Sequence, residues 1–237
     1  MSAEEDDDFA AVAADDSPTG GSEYDATFGA QFKALLWREF LLRSRSEQLF
    51  KAYVGRTIMM TTVFGLLYYQ VDNDQASVQS VMGCLTIVFM DSFFTAGIGV
   101  VQSVPFTFPT VFREHRNKQY SITAYFTAKQ VVDLPFELIF TILFSIGTYL
   151  LFGFSFDPFS RFIKYIIYII LATLSANGLG YFCAALGYDP VTAFLVWTFL
   201  IIPFSLFSGF FINLAVVPAW FTWIEYVSPF AYLFKLL

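Results

Sequence analysis

The sequence predicts an all-α protein, a polytopic bundle of transmembrane helices, and three observations carry that expectation. Of its 237 residues 57% are hydrophobic and only 14% are charged, with a mean hydropathy of +0.60; soluble domains carry nearer a quarter charged residues. The apolar residues gather into five runs, each close to the roughly 20 helical residues that cross a hydrocarbon core about 30 Å thick. Between the runs lie the turn signals and most of the charge.

The net charge of -7 belongs to one end of the chain. Nine of the 20 acidic residues precede residue 26, in a segment without apolar period, so residues 1–27 read as a solvated, disordered tail. The tail lacks the basic start and apolar centre of a secretory signal, which leaves insertion to the internal spans. Cys84 and Cys183 sit inside apolar runs and read as buried thiols. His115 has no ligand-spaced partner, so no metal centre is expected.

Residues 28–53 set Phe32, Leu35, Leu36, Phe40, Leu42, Leu49 and Phe50 against Lys33, Arg38, Arg43, Arg45 and Lys51. This is a basic amphipathic helix, facing either lipid headgroups or a protein partner. A first span covers about 54–70, short enough that Arg56 is expected to snorkel to the cytoplasmic interface. Asp72, Asn73 and Asp74 end it in a loop without cations, as expected outside.

The second span, about 81–104, carries Asp91. A carboxylate at that depth costs about 2.5–3.5 kcal/mol on insertion scales, so it should face the bundle or a wet cavity, as a packing hydrogen bond or a substrate contact. Gly97 and Gly99 permit close approach of another helix or a bend. Then comes the basic, aromatic segment 108–129, FPTVFREHRNKQYSITAYFTAK, with Arg113, Arg116, Lys118 and Lys129. Short connections rich in Lys and Arg stay in the cytoplasm, and ten of the 13 Lys and Arg fall on that side of the resulting topology. The segment is read as a docking element for a cytoplasmic engine.

The third span, about 131–154, opens with VVDLPFEL, where Asp133 and Glu137 share a helix face across Pro135. That entrance either caps the helix at the interface or lines an inner cavity. The fourth, about 162–187, has Arg161 and Lys164 at an outer end, against the charge rule, and repeats Ala176, Gly180 and Ala184 as a small-residue stripe. A tight turn leads to the fifth, about 191–211. Pro203 in its middle frees a carbonyl that neighbours or water must satisfy, and Thr198, Ser205 and Ser208 either bond back to their own helix or serve a cavity. Residues 213–237, with Pro218, Trp220, Trp223, Tyr226 and Pro229, read as a re-entrant or interfacial segment at the outer leaflet.

Taken together, the basic helix, two spans, the FREH elbow, YFTAK before an Asp and a proline-bearing span, then SGFFI and PAWFTWIEYVSPFAY, resemble the transmembrane domain of the G subfamily of ABC exporters. This is the White and pleiotropic-drug-resistance group, with an ABC-2 type membrane domain, and the resemblance covers about residues 28–237. It implies six spans, pairing of two such domains as a homo- or heterodimer around a substrate cavity, and a nucleotide-binding domain as partner. ATP and Mg belong to that partner, and no cofactor to this chain.

The same resemblance implies a connecting helix over 28–51 and a coupling helix around 108–115. Arg113 and Glu114 stand at the family's Arg-Glu pair, and Arg38, Glu39 and His115 join them as the residues coupled to the ATPase. Ser92, Phe93, Phe94 and Thr95 on the second span and Thr198, Ile202 and Ser205 on the fifth would line the cavity, with Phe210 and Phe211 as the apolar exit plug.

Two departures accompany the resemblance. The chain has no GxxxxGK[ST] phosphate loop, so it is not expected to be an enzyme on its own, and it lacks a sixth span, as a truncated or split transporter would. The expected function is the membrane part of an ATP-driven exporter of amphipathic, lipid-like or xenobiotic compounds, in the plasma membrane or an internal one. The cavity would alternate its access as the ATPase pushes on the basic elbow. The alternative is a truncated, non-transporting protein that dimerises with full-length transporters and modulates them. An integral-membrane enzyme is not supported, because Asp91, Asp133, Glu137 and His115 supply neither a metal set nor a nucleophile with its base.

Overall fold

A computed structural model describes residues 24, 26–70, 78–154, 159–208, 212 and 219–236. Most of the acidic tail, the loop at Asp72 to Asp74, and Phe210 and Phe211 of the expected exit plug lie outside the described residues. The described chain is all-α, and it is an integral, multi-pass membrane protein. Its helices are α1 (Phe28–Arg45), α2 (Glu47–Leu67), α3 (Val78–Arg116), α4 (Ile122–Leu151), α5 (Phe159–Gly187) and α6 (Pro190–Leu206); a 3-10 turn (Ala219–Phe221) precedes α7 (Thr222–Val227) and α8 (Pro229–Leu236).

Among the described residues α3, α4 and α5 are long and apolar enough to cross a membrane, and α6 is a shorter apolar helix. These four hold the second to fifth expected spans. The first lies in α2, whose 21 residues reach about 31 Å but include Glu47, Lys51 and Arg56.

Several boundaries differ from the sequence reading. The single amphipathic helix expected over 28–53 is two helices, because the backbone leaves the helical region at Ser46, whose hydroxyl donates to the Arg43 carbonyl at 2.9 Å. Residues 47–53 therefore begin α2. The docking segment is likewise not a separate element, since α3 continues through Pro105 and Pro109 to Arg116. Neither proline can donate the backbone bond of its turn, so they loosen the ladder without ending it.

Arg116 closes α3 in a two-bond cap. The Gln119 N–H donates to the Glu114 carbonyl at 3.2 Å and the Lys118 N–H to the His115 carbonyl at 2.9 Å, with Lys118 in the left-handed region at φ 57°, where glycine is usual. Ser121 then caps α4 by accepting from the Ala124 N–H at 3.2 Å.

The chain forms two compact units: residues up to Tyr53 with Thr107–Glu137, and Val54–Phe106 with Leu138–Leu237. The first packs Leu35 of α1 with Val111, Tyr120, Ala124, Tyr125 and Ala128. The second is built on aromatic rings and small residues. In α5 the buried positions Tyr165, Ile169, Ala172, Ala176, Gly180, Cys183 and Gly187 recur at helical spacing. The expected small-residue stripe is what packs: a Cβ on Gly180 would stand 3.0 Å from the Gly97 carbonyl oxygen.

Gly187 is required for the turn into α6, because a Cβ there would collide with the Ala193 backbone. Asp189 caps that helix, accepting from the Val191 and Thr192 N–H groups at 3.1 and 3.0 Å.

Candidate functional site

In the first unit the coupling residues expected from sequence belong to a larger set of charges. Arg38 projects from α1 and donates to Glu114 at 3.0 Å and to Glu39 at 3.3 Å. The Tyr120 hydroxyl donates to the same Glu114 oxygen that Arg38 holds. The Arg38 guanidinium also lies 5.6 Å from the centre of the Tyr120 ring and 5.9 Å from that of Tyr125, within cation–π range.

Burial works against the Arg38 charge, yet its bonds to Tyr120 and Glu114 outweigh this and raise its pKa. Burial, reinforced by Glu114, pushes the Tyr120 phenol up to about 12, so Tyr120 remains the donor at any physiological pH.

The set continues along α4. Lys129 is 8% exposed and places its ammonium 3.2 Å from Asp133 and 3.9 Å from Glu39. Asp133 also faces Arg43 at 3.8 Å. Arg43 donates to the Tyr53 hydroxyl at 3.2 Å, and its guanidinium sits 4.5 Å from the Phe136 ring centre. Cations and anions thus alternate from α1 to α4, each carboxylate touching a cation. Gln31, 6% exposed, fixes the other end of α1 by accepting from the Ser121 N–H at 2.9 Å.

The two neighbours of the expected Arg-Glu pair part company. Glu114 turns inward, while Arg113 is exposed. His115 Nδ1 lies 3.1 Å from the Tyr120 carbonyl oxygen and 3.5 Å from the Tyr24 hydroxyl. Asp133, expected either to cap its helix or to line a cavity, instead pairs with Lys129 and Arg43.

In the second unit the expected cavity residues fall into two environments. Phe93 is fully buried, stacked at 6.0 Å on Trp197 and 4.5 Å from Phe230. Ser92 is buried beside it with no hydrogen-bond partner for its hydroxyl among the described residues, and Phe94 and Thr95 are half-buried. On α6 the buried face is Ala193, Trp197, Ile201 and Phe204. Ile202 is exposed, and Thr198 and Ser205 are half-buried. The Thr198 and Ser205 hydroxyls return to their own helix, donating to the Phe194 and Ile202 carbonyls at 2.8 and 2.9 Å.

Arg56 donates to Asp91 at 2.5 Å, so the acid in the second span has a charged partner on α2.

Sequence reasoning counted Lys129 and Arg43 only among the cations of their segments, and it passed over Tyr120 and Trp197. Lys129 and Asp133 carried a signal, an i,i+4 pair of opposite sign. Trp197 carried none in its own span, because its place depends on Gly97. A Cβ on Gly97 would overlap the indole six-membered ring.

The ABC-2 type transporter family matches residues 30–237, and the chain belongs to it, as a multi-pass membrane domain of the G-subfamily type. It is similar to protein white of Drosophila melanogaster, 28% identical over 220 residues, which are 92% of this chain and 31% of the fly protein. It is also similar to ABC transporter G family member 1 of Dictyostelium discoideum, 28% over 211 residues, 88% and 27% of the two chains. The broad substrate specificity ATP-binding cassette transporter ABCG2 of Bos taurus is 26% identical over 207 residues, 86% and 31%. The chain spans about a third of the length of these relatives.

Proposed function

We propose that this chain is the membrane-spanning part of an ATP-driven exporter of amphipathic, lipid-like or xenobiotic compounds. Its engine is a nucleotide-binding domain that holds ATP and Mg, and a second membrane domain, identical or different, completes the cavity. The observation that carries the reading is the division of labour at the end of α3. Glu114 is clamped by Arg38 and Tyr120, which makes the elbow stiff, while the neighbouring Arg113 is exposed and available to a partner. A push delivered at Arg113 then moves a braced element and is not absorbed by a loop.

The bovine relative is named for broad substrate specificity, which supports a loosely selective cargo. So does the composition of the expected cavity wall, phenylalanines and an isoleucine with a few hydroxyls. Such a wall selects by apolar area more than by fixed polar pattern. In this reading Phe93 backs the wall from behind, and Phe94, Thr95 and Ile202 present the surface that cargo meets.

The test is Arg113→Glu in a complete transporter carrying this domain. Efflux is expected to fall at least tenfold while ATP hydrolysis and surface expression persist. Efflux at the wild-type rate would remove the elbow from the mechanism.

A further inference from the structure

The helix that carries the first span is the least suited to lipid, and the structure shows what compensates it. The ends of α2 and α4 are level, with the Gln70 N–H donating to the Leu151 carbonyl at 3.3 Å. The two helices run parallel, because Gly65 takes Leu151 against it and Gly147 takes Thr61. α2 therefore lies along a helix that is itself long and apolar enough to cross a membrane. Arg56 stands 11 residues before Leu67, about 16 Å down the helix, and Asp91 stands 13 residues after Val78, about 20 Å down α3. Both charges thus stand at similar depth within the expected spans 54–70 and 81–104, where a lone charge would face lipid.

They reach each other instead, at 2.5 Å. Lone charges within a span oppose insertion, whereas a paired cation and anion present no net charge to the lipid.

We propose that α2 is held across the membrane by the Arg56–Asp91 ion pair, with α3 supplying the counter-charge that its predecessor needs. The first two spans are then one insertion unit, and α2 becomes stable in the bilayer only once Asp91 has entered. The inference is independent of the exporter reading, since it needs neither ATP nor cargo.

The experiment uses the full chain in sealed vesicles with an impermeant thiol reagent. Reporters are Ser44→Cys and Gln70→Cys, made separately, because both positions are exposed while the native Cys84 and Cys183 are fully buried. With the pair intact the two reporters label from opposite sides. In Asp91→Leu, opposite-side labelling of the Gln70 reporter is expected to fall at least threefold. The double variant Arg56→Leu with Asp91→Leu removes both charges and should restore it to the wild-type level, and the swap Arg56→Asp with Asp91→Arg should recover most of it. Wild-type labelling in Asp91→Leu would overturn the proposal. So would a double variant as defective as Asp91→Leu, which would mean that the loss came from misfolding around residue 91 and not from an unpaired arginine.

Discussion

The two units of this chain hold themselves together by opposite means. In the first, Arg38, Glu39, Arg43, Glu114, Lys129 and Asp133 form a chain of alternating charge over a small aliphatic and tyrosine cluster. In the second, Phe93 packs between Trp197 and Phe230, and Trp197 lies against Gly97, which has no side chain to interfere. A charge network is directional, so it fixes the angle of an element but tolerates little loss of any member. Ring packing is non-directional and depends on volume. Under the proposed function, the contrast suits one part that receives a defined push and another that encloses a variable cargo.

The largest effect that would sharpen the contrast is expected at Trp197. Trp197→Ala empties the position behind Phe93 and should cost about 3–5 kcal/mol, as large aromatic truncations in packed cores do. Thermal unfolding in detergent would measure it, with the second unit failing first. A loss below about 1 kcal/mol would mean that Phe93 and Phe230 close over the gap, and that shape matters less there than the stacking suggests.

Next in size is Lys129→Ala. It takes from Glu39 and Asp133 their shared cation in a site where the lysine is 8% exposed; since Arg38 and Arg43 still hold the two carboxylates, the cost should be about 2 kcal/mol, that of a lost charge-assisted hydrogen bond. Because the partners are shielded, the cost should persist at high salt. A loss that vanished in concentrated salt would show the network to be a solvated surface feature, and the comparison between the units would collapse.

The fold was legible in the sequence because its signals are local: run length, and the small-residue spacing at Ala176, Gly180 and Ala184. Individual partners were legible only where both members lay a turn or two apart, as with Lys129 and Asp133. Arg38 and Glu114 are 76 residues apart, and Arg56 and Asp91 are 35 apart; nothing in either neighbourhood names the other. Pattern also over-divided the chain. The basic segment 108–129 reads as a connection apart from the second span, but that helix runs on through Pro105 and Pro109 to Arg116, since a long helix retains its course when only two backbone donors are missing. It under-divided the start of the chain, since the amphipathic period runs through Ser46 unchanged while the backbone does not.

The smallest expected effect lies at the elbow itself and has the opposite sign. Lys118 holds a left-handed conformation, φ 57°, at the position where the α3 cap calls for glycine, and a non-glycine residue there bears a strain of about 1 kcal/mol. Lys118→Gly should therefore stabilise the folded chain by something under that figure, because glycine also gains freedom when unfolded. The substitution removes one cation but leaves Arg38, Glu114 and Tyr120 untouched, so it separates the stiffness of the elbow from its charge. Under the coupling reading, Lys118→Gly raises the unfolding temperature slightly and leaves efflux in a complete transporter unchanged. A fall in efflux with improved stability would instead assign the Lys118 cation a place beside Arg113 on the surface that meets the motor domain.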